Sequence, residues 1–510
     1  MSNIRAKPCY FALALLIVSE AFLTTACSRE VGVPLARVRA QRATGPLRVN
    51  PVNRRYFTDA SGRAVYLTGA HTWANLLDRG SLSPPKVGFD YAVYIDWMVS
   101  HNLNFMRLWT EELPNHGSTE DPYDSFVELP WKWVRAGPGD ANDGARKFDF
   151  DQLNRGYFDR MRSRIITAGN NGIYVSVMLF NGFEWQFETN PRDGNPFKGS
   201  NNVNAIDCPV TCPTDTSQMS SAVWSYEQAY IRKVVDTVND LDNVLYEVSN
   251  EAGAPYSNVW QARVIEYLKQ YEATKRVQHP VGMTFQWKGG SDSTLYSSAA
   301  DWVSPQARFP AGDGSKVIIN DTDHSYPWAE MKSDGKAAQR AWVWKNFTSG
   351  NNVAFMDPYL VVWPRRNSPS GSTSDPHVGT RPDSYWDVIR EAMGSTLTYA
   401  NRMGLVAVTP QPPLSSTGYC LANPGAEYLV YQPSSGPFSL DVLVGTYRYE
   451  WLDPSTNRIA LSGTISVSGG NQSFNPPFRG DAVLYLHVAG VGGRAAADPV
   501  EGGDPRTGAQ

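Results

Sequence analysis

The sequence has no block of like charge and no glycine-rich phosphate-binding loop. Its 46 Lys and Arg residues nearly balance its 50 Asp and Glu residues, which leaves a formal net charge of -4. Without a basic patch there is no electrostatic footprint for nucleic acid, and no Lys/Arg-rich helix indicates binding to a lipid surface. No strand-like segment leads into a glycine-rich loop, and we expect no cofactor.

The sequence also lacks an unbroken apolar run of transmembrane length. The longest apolar segment, residues 10–18, follows two basic residues and is soon interrupted by Glu20. This pattern is typical of an export signal and not of a membrane span. The Thr-Thr-Ala-Cys sequence that ends at Cys27 resembles a bacterial lipobox. We therefore predict a lipoprotein-type signal peptide over residues 1–27 with lipidation at Cys27; ordinary cleavage after Ala26 is the alternative.

Cysteine is scarce in the mature chain. Only Cys208, Cys212 and Cys420 remain once Cys9 and Cys27 are assigned to the signal peptide. Because an exported chain meets an oxidising compartment, we predict a local disulfide between Cys208 and Cys212. A zinc site there would need two further ligands, and no matching Cys or His pair is near in sequence, so no metal is expected. Cys420 is left over and is expected to be buried.

Strand-like and helix-like segments alternate along most of the chain, which is typical of a parallel α/β fold. Eight strands is the number in a (β/α)8 barrel, and we predict a TIM barrel over residues 46–405; an open doubly wound sheet is the alternative. The pattern is weak over residues 287–315, where one helix is expected to be short or missing. The predicted strands are 65–68, 104–109, 174–180, 244–249, 281–285, 302–304, 317–320 and 353–356, and the predicted helices are 91–100, 157–168, 222–241, 259–276, 337–347 and 385–403.

The pattern changes on both sides of the barrel. A polar, Arg-rich stretch, residues 28–45, is expected to be a linker. Short strand-like runs separated by turn residues predict a small all-β sandwich over residues 406–489. The tail, residues 490–510, is rich in Gly, Ala and Asp and is expected to be disordered. The sandwich strands are predicted at 427–431, 438–444, 447–452, 460–467 and 482–487.

The most informative segment is NVLYEVSNE at residues 243–251. A near-continuous apolar run is typical of a buried parallel strand, and this run leads directly into Asn250 and Glu251. A barrel strand that ends in a carboxylate places that group at the catalytic face. We predict that Glu251 is catalytic; a carboxylate at the N-terminus of the following helix is the alternative.

Several segments resemble one enzyme family. Residues 53–73 (NRRYFTDASGRAVYLTGAHTW), 104–109 (NFMRLW) and 246–251 (YEVSNE) are similar to the first, second and fourth strands of cellulase-like barrels of glycoside hydrolase clan A. Residues 419–431 and 451–454 resemble a C-terminal β-sandwich, named for collagen binding, that apiosidase-like proteins of this kind carry. The resemblance implies a retaining glycosidase with the acid/base on strand four and the nucleophile on strand seven.

The seventh predicted strand departs from the clan pattern. The clan has Glu there, whereas the segment KVIINDTDH at residues 316–324 offers Asp321 and Asp323. The two-residue period directs both side chains to the same side, and alignment with the clan favours Asp321 as the nucleophile. Asp is one methylene shorter than Glu, which would widen the gap to Glu251 and makes retention less secure. An Asp-Thr-Asp turn is also typical of a cation site or a helix cap.

Other strand-end residues predict a sugar-binding ring. Arg107 ends the apolar run of the second strand, where a buried charge needs a partner. The resemblance implies that it fixes the nucleophile; an arginine that reaches the rim is the alternative. The remaining members of the predicted ring are His71, Trp73, Asn181, Asn250, Trp287, His324, Asp357 and Tyr359. Each of them could instead be a packed residue of the rim.

Many aromatic residues fall in loop-like stretches. They could stack on sugar faces or form a hydrophobic cluster between loops, and the sequence favours neither explanation. They are Trp131, Trp133, Phe183, Trp185, Phe187, Trp328 and Trp363.

These features predict an exported glycoside hydrolase that cleaves O-glycosidic bonds of a poly- or oligosaccharide with a carboxylate pair, by a retaining mechanism. We expect a monomer that is either attached to the cell envelope or secreted. It should have no nucleic-acid partner, and any membrane attachment should be through Cys27 only. Two alternatives stay open. One is a catalytically inactive barrel that binds polysaccharide, and the other is a surface protein whose C-terminal module binds a matrix protein.

Overall fold

The structure is a computed structural model that describes residues 32–36, 41–81, 89–116, 126–186, 194–362, 377–378 and 382–488. The predicted signal peptide with Cys27, the predicted tail from residue 490, Phe187 and Trp363 lie outside these ranges. No helix in the described ranges is both long enough and apolar enough to cross a membrane.

Eight parallel strands close into a barrel, which confirms the predicted fold. Nearly every residue of these strands is buried, because side chains fill the inside and helices cover the outside. Burial on both faces explains why the strands appear in the sequence as continuous apolar runs. The strands are β1 (Thr68–His71), β2 (Phe105–Leu108), β3 (Tyr174–Asn181), β4 (Val244–Asn250), β5 (Val281–Thr284), β6 (Trp302–Ser304), β7 (Val317–Asp321) and β8 (Asn352–Met356).

Most helices lie close to their predicted positions, but one begins at Trp328 instead of residue 337, and the short helix Thr322–Ser325 was not predicted. In α3, the Ser220 side chain accepts from the Val223 backbone N–H, and apolar residues at helical spacing face the barrel. The weak stretch holds only the six-residue helix α5, as expected. The helices are α1 (Tyr91–Ser100), α2 (Arg155–Asn170), α3 (Ser221–Val238), α4 (Asn258–Glu272), α5 (Asp292–Ser297), α6 (Thr322–Ser325), α7 (Trp328–Thr348, interrupted at Gly335) and α8 (Asp387–Arg402).

The first barrel strand begins later than predicted. Residues 65–67 precede β1, and Val65 and Leu67 pack with Phe57 and Phe105 at the end of the barrel where the strands begin. Val65 belongs to a small antiparallel sheet of three two-residue strands, Arg48–Val49, Phe57–Thr58 and Ala64–Val65. The apolar run was therefore correctly read as buried, but part of it closes the barrel bottom and does not line the barrel wall.

Further short strands lie between the barrel elements. The longest pair is an antiparallel hairpin between β2 and α2, formed by Trp133–Asp140 and Arg146–Leu153. The others are Asp78–Ser81, Asn115–His116 and Phe126–Leu129 in one sheet, and Val361–Val362 with His377–Val378 in another.

Two antiparallel sheets follow the barrel. The larger has seven strands in the order Val33–Pro34, β13 (Arg458–Val467), β12 (Gly445–Asp453), β15 (Ala482–Val488), β10 (Glu427–Gln432), β9 (Cys420–Asn423) and Thr409–Pro410; the smaller pairs β11 (Phe438–Val442) with β14 (Gly470–Phe474). Val33 pairs with Ile459. Part of the segment predicted as a linker therefore forms an edge strand of the larger sheet.

The larger sheet shares its core with the barrel. Leu429, Tyr431 and Tyr485 belong to the same hydrophobic cluster as the helix residues that cover the barrel, and the Trp344 ring of α7 stacks on Tyr431 at 6.2 Å. The opposite face of the sheet packs in a second cluster against β11 and β14. The sandwich is therefore built onto the barrel through α7 and α8.

A buried ion pair crosses this contact and should contribute strongly to stability. Arg340 Nε donates to Asp481 Oδ2 at 2.8 Å, and both residues are at least nine-tenths buried. We expect Asp481→Asn to destabilise the protein by about 3–5 kcal/mol, because the guanidinium is left buried without its counter-charge. Asp159→Asn is the control, since the Arg155–Asp159 pair is exposed. Denaturant unfolding of both variants measures the difference, and equal effects would contradict the prediction.

Cys208 and Cys212 form a disulfide in the segment between β3 and α3. Cys420 is a free, buried thiol on β9. Cys212 lies in a hydrophobic cluster with Trp133, Trp185 and other aromatic residues. The short disulfide loop therefore belongs to the packed layer above the barrel.

Candidate active site

The ends of β4 and β7 bring three carboxylates together at the mouth of the barrel. Glu251 follows β4 directly, and Asp321 is the last residue of β7. The chain then turns into the one-turn helix α6, where an Asp321 side-chain oxygen accepts from the Asp323 backbone N–H at 3.0 Å. The Asp-Thr-Asp segment is thus a helix cap, one of its predicted alternatives, and the cap directs Asp323 back over the barrel.

Arg107 connects these groups beneath the cleft. Its Nη1 donates to Asp321 Oδ2 at 3.1 Å and to Asp323 Oδ2 at 3.3 Å. Its Nη2 donates to Asn250 Oδ1 at 2.8 Å, and its Nε donates to Glu247 Oε2 at 2.9 Å. Arg107 is 2 % exposed. The predicted partnership of Arg107 with a strand-seven carboxylate therefore matches this geometry.

Glu247 is a site residue that the sequence analysis missed. It is completely buried on β4 and accepts from Arg107 and from Ser176. The signal was present, because Glu247 lies four positions before Glu251 and strand residues an even number of positions apart point to the same side. A charged residue within an apolar strand needs a partner, and Glu247 on β4 and Arg107 on β2 are each other's partners.

Asp321 and Asp323 have different environments. Asp321 accepts from His71 Nε2 at 2.9 Å and from Arg107, besides capping α6. Burial disfavours its ionised form, but His71 and Arg107 outweigh burial and hold the pKa of Asp321 well below its usual range. Asp323 is less enclosed, and one of its oxygens lies within 4.8 Å of a Glu251 oxygen. Asp321 as the nucleophile stays a prediction, and the close approach of Asp323 to Glu251 makes Asp323 the second candidate.

Glu251 has the features of a proton donor. Burial raises the pKa of its carboxyl group well above the usual range. The negative charges of Asp323 and Asp321 raise this pKa further, and the positive charge of Arg107 lowers it in part. Its backbone has a φ of +38°, in the left-handed region that is uncommon for residues other than glycine. Such strained positions cluster at functional sites, where surrounding structure holds them.

His324 lies beside both Glu251 and Asp323. Its Nδ1 is 3.8 Å from Glu251 Oε1 and 3.9 Å from Asp323 Oδ2. Its Nε2 is hydrogen-bonded to the Ser304 hydroxyl at 2.8 Å. Burial lowers the pKa of His324, which favours the neutral ring.

Three other predicted ring residues also lie at or after the ends of barrel strands. Trp73 is partly buried and contacts Trp328 edge to face at 5.3 Å. Asn181 is paired with Asn250 in the barrel register and donates to Glu111. Trp287 is partly buried after β5. Trp73 and Trp287 therefore keep an exposed fraction, whereas Asn181 is 2 % exposed, and ligand contact by all three stays a prediction.

Asp357 and Tyr359 do not join the predicted ring. Both Asp357 oxygens accept from Arg390 of α8 at 2.7 Å, and Asp357 is completely buried. Tyr359 is 2 % exposed and packs against Tyr94 and Trp97 of α1. Their prediction as sugar ligands is therefore corrected, since ion pairing and packing occupy both side chains.

The aromatic loop residues divide into two groups. Trp131, Trp133 and Trp185 form a buried cluster and are at most 3 % exposed, so they have no free face for a sugar. Phe183 and Trp328 are only partly buried. The hydrophobic-cluster explanation is thus correct for the first group, and sugar stacking stays a prediction for the second.

No family model matches the chain, and no curated protein matches it by sequence. Solved structures do match. One described as a glycoside hydrolase has a TM-score of 0.55 at 12% identity and covers 88% of this chain and 98% of that chain. A glycoside hydrolase family 5 protein from Bacteroides vulgatus ATCC 8482 has a TM-score of 0.57 at 13% identity, with 87% and 93% covered.

These similarities define the class of fold. The part of this chain that each of the two structures covers is longer than the barrel region, residues 46–405. The structural similarity therefore extends into the C-terminal sheets. At such low identity it shows a shared architecture, the barrel used by glycoside hydrolases of family 5 and related structures. The apiosidase-like relationship and the collagen-binding type of the C-terminal module stay predictions.

Proposed function

We propose that the protein is a retaining glycoside hydrolase in which Glu251 is the acid/base and Asp323 is the nucleophile. The observation that carries the proposal is the close approach of these two carboxylates, whose oxygens lie within 4.8 Å of each other. Retaining glycosidases hold their carboxyl groups roughly 5–5.5 Å apart, whereas inverting enzymes leave about 6.5–9.5 Å for a water molecule. Helix α6 offsets the shorter Asp side chain, because it extends Asp323 beyond the strand end.

The two groups divide the reaction between them. Asp323 attacks the anomeric carbon while Glu251 gives its proton to the departing glycosidic oxygen, and a glycosyl ester forms on Asp323. Glu251 then takes a proton from water, the water oxygen bonds to the anomeric carbon, and the Asp323 carboxylate leaves. Arg107 orients the Asp323 carboxylate, and Asp321 holds Arg107 and His71 in place.

The substrate and the cellular location are part of the same proposal. Partly buried aromatic residues near the centre, Trp73, Trp287 and Trp328, would stack on sugar rings of a poly- or oligosaccharide. The N-terminal sequence supports export, with attachment to a membrane through a lipid on Cys27.

The test is hydrolysis of a panel of plant and bacterial polysaccharides and aryl glycosides by residues 28–510, a form without the predicted signal peptide and lipidation site. The first product released from an active substrate should have the same anomeric configuration as the substrate, which proton NMR measures before mutarotation. The matched control is a protein with both Glu251→Gln and Asp323→Asn. Binding without hydrolysis would favour the inactive carbohydrate-binding alternative, and a product of opposite configuration would contradict the nucleophile.

The pH profile of kcat/KM should extend to higher pH than an ordinary carboxylic acid allows. Burial raises the pKa of Glu251 above the usual value of about 4.3, so the acid stays protonated to higher pH, and activity falls as the pH rises through the raised pKa. The alkaline limb of kcat/KM reports this group in the free enzyme. A limb near the ordinary pKa of glutamic acid would contradict the assignment.

A further inference from the structure

Two carboxylates and one imidazole nitrogen converge on a single point in the cleft. One ligand atom each from Glu251, Asp323 and His324 lies within 4.8 Å of the other two. The His324 side chain is 1 % exposed, and its Nδ1 has no hydrogen-bond partner within the described part of the chain. Buried polar atoms without partners are rare in folded proteins. This nitrogen therefore has an unused lone pair or proton directed at both carboxylates.

We propose that Glu251, Asp323 and His324 bind a divalent transition-metal ion of the zinc type. Zinc bonds nitrogen and carboxylate oxygen at roughly 2.0–2.2 Å, so two atoms bonded to one ion are separated by less than twice that length. The His324 Nδ1 distances of 3.8 Å to Glu251 and 3.9 Å to Asp323 meet this limit. The Glu251–Asp323 pair meets it with at most a small rotation of one carboxylate.

The surroundings of His324 suit a metal ligand. Metal-bound histidines usually donate their other ring N–H to an oxygen, which fixes the tautomer. Here the Ser304 hydroxyl is 2.8 Å from Nε2 and can accept that proton, leaving the Nδ1 lone pair free. The local charge also favours a cation. The carboxylates of Glu247, Asp321 and Asp323 share the guanidinium of Arg107, and Glu251 lies beside Asp323.

This site revises the expectation of no metal, which rested on the spacing of cysteines. Its three ligands follow the ends of β4 and β7, which are distant in sequence and come close only at the mouth of the folded barrel. The consequence for activity rests on the proposed function: an ion held by Glu251 and Asp323 occupies the proton donor and the nucleophile, so zinc should inhibit hydrolysis in competition with substrate.

Calorimetry with zinc chloride tests binding without reference to activity. The metal-free mature protein should bind Zn²⁺, and Zn²⁺ should raise its melting temperature. His324→Ala and Asp323→Asn should each weaken binding at least about tenfold, while His487→Ala, on the C-terminal sheet, should bind as the unaltered protein does. Competitive inhibition by Zn²⁺ of any hydrolysis found is the second measurement.

The outcomes separate this inference from the proposed function. If the unaltered protein does not bind Zn²⁺, or if His324→Ala and Asp323→Asn bind it as tightly as the unaltered protein, the metal site is wrong, even where the metal-free protein hydrolyses glycosides. If Zn²⁺ binds at the three ligands but no glycoside is cleaved, the metal site stands and the proposed hydrolase fails.

Discussion

Asp323→Gly should abolish hydrolysis and restore part of it when azide is added. Removal of a nucleophile lowers turnover by at least about 1,000-fold, because no covalent intermediate can form. Azide is small enough to enter the space left by the carboxylate and to attack the anomeric carbon directly. With an activated aryl glycoside the product should be a glycosyl azide of the configuration opposite to that of the substrate, which NMR identifies.

Asp321→Asn is the matched comparison, since it tests the residue that alignment with clan A favoured. Asp321 already accepts from His71, Arg107 and the Asp323 N–H, so its loss should disturb the position of Asp323 and not remove the attacking group. We expect a smaller loss of kcat and no rescue by azide. If azide rescues an Asp321→Gly variant and not Asp323→Gly, the roles of the two residues are reversed.

The barrel could be predicted because each of its strands produces a recognisable pattern within a short stretch of sequence. A strand buried on both faces is a continuous apolar run, and β3 and β4 were found within a residue of their ends. The start of β1 was missed because residues 65–67 are equally apolar for a different reason, the closure of the barrel bottom. Likewise, nothing local in residues 33–34 indicates that they pair with β13. Pairing between strands that are distant in sequence can be recognised only in the folded structure.

The candidate site likewise contains residues that the local sequence identifies and others that only the folded structure identifies. Glu251 and Arg107 were predictable, since a charged residue at the end of an apolar strand faces the barrel mouth or needs a buried partner. The sequence did not show that Asp321 caps α6 through the Asp323 N–H, or that an Asp323 oxygen lies within 4.8 Å of a Glu251 oxygen. Asp357 also follows the end of a barrel strand, β8, yet its carboxylate is paired with Arg390 of α8. Strand position therefore selects candidates, and the contacts show which of them, such as Asp357, are held in structural ion pairs.

Glu251→Gln should slow hydrolysis of unactivated glycosides by about 100–10,000-fold, the usual contribution of general acid catalysis. Gln has the shape of Glu but cannot donate the proton that the leaving oxygen needs. Aryl glycosides whose phenol leaves without protonation should form the glycosyl ester at nearly the normal rate, so a burst of phenol should precede a slow steady state. Stopped-flow absorbance of the released phenol measures both phases.

Azide distinguishes Glu251 from Asp323. In a Glu251→Ala protein, Asp323 still forms the glycosyl ester, and azide attacks that ester because it needs no general base. The glycosyl azide should then keep the configuration of the substrate, the opposite of the product expected from Asp323→Gly. If Glu251 and Asp323 are the carboxylate pair, the two variants should give glycosyl azides of opposite configuration. Each variant lacks one carboxylate and keeps the function of the other. Equal activity of Glu251→Gln and the unaltered protein on unactivated substrate would show that the acid lies elsewhere.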